Sequence, residues 1–202
     1  LAHGEIYMIG AYLGVVLLAL SLPLGLPLWA ALLLAMLGSM AVTAAFGITL
    51  ERGVYRPLRG APRLSLLINA LGASIGLQQI VLLLQGTRAA VPAREVPADP
   101  WHLGSLTVSR IDTFIVLTAF VLMAALHLFI RRTRLGKAMR ATAQDATMAS
   151  LLGISINRVI AATFFIGSAL AAVAGVMVAL KYGQVDYVVG YVAGLKAFTA
   201  AV

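Results

Sequence analysis

Five long apolar stretches divide the chain: Ile6–Leu22, Leu28–Leu50, Leu64–Leu84, Ile111–Ile130 and Val159–Leu180, with a sixth opening near Val188 and running through 188–202. A bilayer core about 30 Å thick needs roughly 20 apolar residues in a helix. Each stretch therefore predicts a membrane-spanning helix. The first is the shortest, which draws part of His3-Gly4-Glu5 into the membrane. Pro23 and Pro27 around Gly25 predict a tight turn between the first two spans. The pattern predicts an all-α fold, a polytopic transmembrane helix bundle forming a single domain over 1–202.

The polar segments between the spans fix its orientation. Residues 131–158 carry six basic residues and one acid. Leu135–Leu152 is rich in helix formers, and Gly153 is placed to stop that helix just past its end. Ala138, Ala141, Asp145, Met148 and Leu152 recur at three and four, a stripe of small residues with one acid. So few bulky residues suit a groove on a partner protein better than a lipid surface. Arg132, Arg134 and Lys137 lie where anionic lipid would attract them. Glu51–Arg63 and Arg131–Arg158 together hold ten of the fifteen Lys and Arg, against two acids. Gln85–Arg110 and Lys181–Tyr187 hold four basic residues and three acids. Positive charge is retained in the cytoplasm, so the first pair is cytoplasmic, the second external, and the spans alternate without a remainder.

Composition agrees. The chain is 61% hydrophobic and 11% charged, with a mean hydropathy of +0.99. Its net charge of +8 is confined to loops, which excludes a nucleic-acid-binding surface on a soluble scaffold. Without Cys there is no disulfide, thiol chemistry or Cys metal site. Three dispersed His and no acidic cluster leave no metal site, and no cofactor is implied; His127 reads as a packed residue, and Trp101 beside His102 as an interfacial anchor. No P-loop or nucleophile–base pair is present, so the chain itself does not hydrolyse ATP.

Candidate working groups are the polar residues at membrane depth. Ser65, Asn69, Gly72, Gly76 and Gln79 share one helix face, which reads equally as the lining of a solute path or as hydrogen-bonding glue between helices. Glu5 and Lys196 are charges inside apolar segments, and such charges default to functional sites with a partner. Gly4-Glu5 suggests a broken start to the first span. The two charges are expected to meet within salt-bridge reach near the midplane. Small pairs at a spacing of four, Gly10/Gly14, Gly72/Gly76, Gly167/Ala171/Gly175 and Gly190/Gly194, predict close helix packing.

The segments His3-Gly4-Glu5-Ile6-Tyr7-Met8-Ile9-Gly10-Ala11-Tyr12, Glu51-Arg52-Gly53-Val54-Tyr55-Arg56-Pro57-Leu58-Arg59, Met148-Ala149-Ser150-Leu151-Leu152-Gly153-Ile154 and Gly194-Leu195-Lys196-Ala197-Phe198-Thr199-Ala200-Ala201-Val202 resemble the LivH-type permeases of branched-chain amino acid ABC importers. That family also holds permeases for urea and short amides; the run Tyr55–Arg59 is similar to its amino-acid members. The resemblance implies a bacterial inner (plasma) membrane subunit working with a second, LivM-like permease, two ATPase subunits and a periplasmic substrate-binding protein. It also implies an ATPase-coupling helix at Asp145, Ala146, Ala149 and Gly153. A first membrane helix, a glycine-rich segment and final helices would lie outside this chain. An ion-coupled carrier using Glu5 and Lys196 is the competing class, and a non-transporting scaffold a third. The folded cytoplasmic loop, which a self-contained carrier does not need, argues for the importer.

Overall fold

A computed structural model describes residues 2–58, 62–86, 88–90, 101–103 and 106–201. Its helices are α1 (Ala2–Ser21), α2 (Leu28–Leu50), α3 (Arg63–Gln85), α4 (Arg110–Arg132), α5 (Arg134–Gln144), α6 (Ala146–Leu151), α7 (Ile156–Tyr182) and α8 (Val189–Ala201). Every predicted span is a helix, with ends moved by a few residues. The fold is all-α, with two antiparallel ladders of three-residue strands among the loops: β1 (Arg88–Ala90) with β4 (Gln184–Asp186), and β2 (Trp101–Leu103) with β3 (Leu106–Val108). Among the described residues, four segments are long and apolar enough to cross a membrane: Gly4–Ser21, Trp29–Leu58, Ile111–Arg132 and Ile156–Tyr182. Helix α3 adds a shorter apolar stretch, Ile68–Leu84.

Two local expectations are corrected. The second span does not end at Leu50. A π-turn (Glu51–Tyr55) and a 3-10 turn (Arg56–Leu58) extend it, and Glu51, expected in a cytoplasmic loop, is 1% exposed. The first span is not broken at Gly4-Glu5 either. Helix α1 runs through both, because Gly4 has α8 backbone against it and a small residue there serves packing rather than a bend.

The chain forms two compact units, Leu1–Val96 with Phe165–Val202, and Pro97–Phe164. In the first, α1 is the central helix, and its contacts are built on glycine. A Cβ on Gly10 would overlap the Ala172 Cα and lie 2.8 Å from its Cβ, and one on Gly175 would overlap the Tyr7 carbonyl and lie 2.9 Å from the Ala11 amide. Only glycine lets α1 and α7 approach so closely, which is how helices gain van der Waals contact in lipid. Beside this seam, Ile6 and Leu50 form a buried cluster with Val54, Tyr55, Leu77 and Ala171 packed around it. Gly72 and Gly76 have open space where a side chain would project. At these two glycines the α3 surface is uncovered within the described residues.

The β1–β4 ladder pairs Arg88 with Asp186 and Ala90 with Gln184, just after α3 and α7. Those two helices therefore end on one side, as the charge pattern predicts for the external loops. In the second unit, Thr133 makes the corner between α4 and α5: its hydroxyl donates to the Phe129 carbonyl (2.8 Å) and accepts from the Gly136 amide (2.9 Å). A Cβ on Gly136 would overlap Ile130. A single cysteine at the exposed Ala143 in α5 is expected to react only with reagents that reach the cytoplasm. Labelling from outside would overturn the topology. Arg59 and Ala98, which also mark the two sides, lie outside the described residues.

Candidate functional site

Glu5 lies in the first turn of α1 and is 0% exposed. Its Oε1 accepts from the Ser74 hydroxyl at 2.6 Å and from the Gln78 side-chain amide at 2.8 Å, both on α3. Ser74 is eleven residues from either end of α3, which at 1.5 Å per residue puts the pair about 16 Å from each end. The neighbouring Ile6 belongs to the buried cluster against which Leu77 and Ala171, the latter in the middle stretch of α7, pack. The carboxylate is thus held at the middle of α3.

The second oxygen, Oε2, is buried and has no hydrogen-bond partner. It faces the first turn of α8, where a Cβ on Gly190 would lie 2.8 Å from it. Gly190 and Gly194 also press on Gly4, backbone to backbone. No donor reaches Oε2. Lys196, two residues beyond Gly194, is exposed. The expected Glu5–Lys196 pair does not form. The Gly4/Gly190/Gly194 contact fixes the register of α8 on α1 and puts Gly190, rather than Lys196, against the carboxylate.

The predicted polar face of α3 is divided. Asn69 spends its amide on the Val54 carbonyl (3.2 Å), Ser65 is half-buried, and Gln79 is exposed beside the open Gly72 and Gly76. The residues that hold Glu5, Ser74 and Gln78, lie on the opposite face and were missed. Their spacing of four, which puts them on one side of the helix, is the signal that could have found them.

The residues expected to couple to an ATPase lie together but not on one helix. Asp145 breaks the predicted helix Leu135–Leu152 into α5 and α6, with φ −151° and ψ 107°. It breaks the helix because its side chain serves as the cap of the next one: Oδ1 accepts from the Met148 amide at 3.0 Å. At the other end Gly153 has φ +83°, the Ile154 amide donates to the Ala149 carbonyl (3.0 Å), and the Gly153 amide donates to the Ser150 carbonyl (3.0 Å). That is a Schellman stop, and glycine suits it. Ala149 is buried beneath α6, Ala146 is exposed, and Met148, Leu151 and Leu152 are 59%, 76% and 81% exposed. A six-residue helix capped at both ends and showing bulky apolar side chains is built to be covered. Among the described residues no group of His, Cys, Asp and Glu could hold a metal ion.

A family model described as "Branched-chain amino acid transport system / permease component" matches residues 1–202. The chain is 44% identical over 206 residues to the high-affinity branched-chain amino acid transport system permease protein BraD of Pseudomonas aeruginosa, covering 100% of this chain and 67% of that protein. It is 43% identical over 208 residues to the LivH permease proteins of Salmonella typhimurium and Escherichia coli, again covering 100% of this chain and 67% of each. No solved structure matches.

Proposed function

The chain belongs to the branched-chain amino acid transport permease family, and from that premise we propose that it carries branched-chain amino acids as one half of a permease pair whose other half is a second, LivM-like chain. It is a multi-pass inner-membrane permease, not an enzyme, of a family that works with ATPase and binding-protein subunits. Two ATPase subunits and one periplasmic binding protein complete the proposed assembly. The observation that carries the reading is identity of 44% across the whole chain to a permease of that transport class.

The geometry divides the work. Capped α6, with Met148, Leu151 and Leu152 outward, sits in a cytoplasmic ATPase groove, and Asp145, Ala146, Ala149 and Gly153 set its shape. The solute passes Glu5, with Lys196 further along α8. Ser65, Asn69 and Gln79 lie on the other face of α3, turned away from Glu5. There the open Gly72/Gly76 groove takes a helix of the neighbouring permease, whose approach gives Gln79 the partner an amide in lipid requires.

Reconstitution of the full-length chain with its partners tests this. ATP-dependent leucine uptake is expected, without competition from urea or acetamide and without dependence on a sodium or proton gradient. Uptake of the amides instead, or uptake driven by an ion gradient without ATP, would replace this reading.

A further inference from the structure

A buried carboxylate offers about four acceptor positions, and Glu5 uses two, both on Oε1. Its Oε2 is enclosed and unpartnered. Among the described residues no hydrogen-bond donor reaches it. An ionisable group inside an apolar membrane segment is costly, and such groups mark substrate or ion paths. A buried polar atom without a partner requires a reason. Here the orientation is held: Ser74 and Gln78 grip Oε1 and so aim Oε2 at one place, the first turn of α8.

On the α8 side Oε2 is covered by the first-turn backbone at Gly190. Gly4, Gly190 and Gly194 meet there through their backbones. Separation of α8 from α1 at this contact uncovers Oε2.

We propose that Glu5 Oε2 is the binding point for the α-ammonium group of the amino-acid solute, reached when α8 parts from α1 at the Gly4/Gly190/Gly194 contact. An ammonium brings three N–H donors and the positive charge this oxygen lacks. A neutral amide brings donors without the charge. Ser74 and Gln78 are positioning residues that hold the carboxylate in its orientation. The inference rests on the amino-acid reading above and adds to it a residue, an atom and a charge requirement.

The full-length chain assembled with its partner subunits decides the matter, in proteoliposomes with labelled leucine. Glu5→Gln keeps the size and the grip of Ser74 but removes the charge. Leucine uptake is expected to fall at least about tenfold, the worth of a hydrogen bond to a charged group, while the subunits still assemble. Glu5→Asp is expected to retain part of the uptake. Glu5→Gln uptake equal to wild type would overturn the proposal and leave Glu5 a helix latch. If the wild-type assembly moves no leucine, the amino-acid reading fails instead, a separate result. If Glu5→Gln does not assemble, binding to the wild-type permease–ATPase complex without binding protein decides: isoamylamine, which keeps the ammonium and the apolar tail, should displace labelled leucine, and 4-methylpentanoate should not. The reverse order would overturn the proposal.

Discussion

Gly10→Val or Gly175→Val is expected to remove the folded permease from the membrane. At both positions the new Cβ overlaps backbone of the facing helix, Ala172 in one case and Tyr7 in the other. Over-packing costs about 1–3 kcal/mol where side chains can shift. Here backbone must shift instead, so the loss lies at or above the top of that range. Against a typical total stability of about 5–15 kcal/mol, this is enough to lose the fold in a full-length chain. Membrane-inserted protein and the midpoint of thermal unfolding in detergent are the measurements. Gly72→Val and Gly76→Val are the controls, since a side chain there meets open space. They should leave the stability of this chain unchanged and reduce co-purification of the second permease. Equal loss at all four positions would mean that the close α1–α7 contact is not what makes Gly10 and Gly175 necessary.

Gly153→Pro is expected to abolish transport-coupled ATP hydrolysis while the permease still reaches the membrane. Gly153 needs φ +83° and donates its amide to Ser150. Proline fixes φ near −65° and has no amide proton to give. A six-residue helix has no stability of its own, so α6 persists through its caps and the burial of Ala149. The same reasoning separates shape from charge at Asp145. Asn caps a helix as well as Asp does, whereas Ala gives up about 1 kcal/mol. Asp145→Asn should therefore couple nearly as wild type, and Asp145→Ala distinctly worse. Substrate-stimulated ATPase activity in the reconstituted assembly reads both. If Asn fails as badly as Ala, the carboxylate is instead read directly by the ATPase groove.

The spans were legible because each requirement is local. A helix in lipid must be apolar along its length and satisfy its own backbone, so α2, α4 and α7 stand in the sequence as plain runs. The helix of the 131–158 loop was half legible. Its stop at Gly153 showed, but its interruption did not. Asp145 continues a helical stripe in spacing, and only the capping bond to Met148 tells that it ends one helix and starts another. The turn at Glu51–Tyr55 was hidden for a similar reason: a charged residue marks a loop unless packing buries it, and Glu51 is buried.

The two charges show the limit most clearly. Sequence places Glu5 and Lys196 within apolar segments, and opposite signs invite pairing. Which residues meet depends on the register between α1 and α8, set where Gly4 fits against Gly190 and Gly194. That register gives Glu5 to Ser74 and Gln78 and leaves Lys196 exposed.

Hydropathy and motif order, properties of the chain taken along its length, were enough for the all-α class, the spans and the membership in a permease family. The partners of Glu5, the division of the 131–158 loop into α5 and α6, and which glycines bear contact came only from the fold. Those depend on where two helices touch, and neighbours across a helix seam are fixed by packing between segments far apart in the chain.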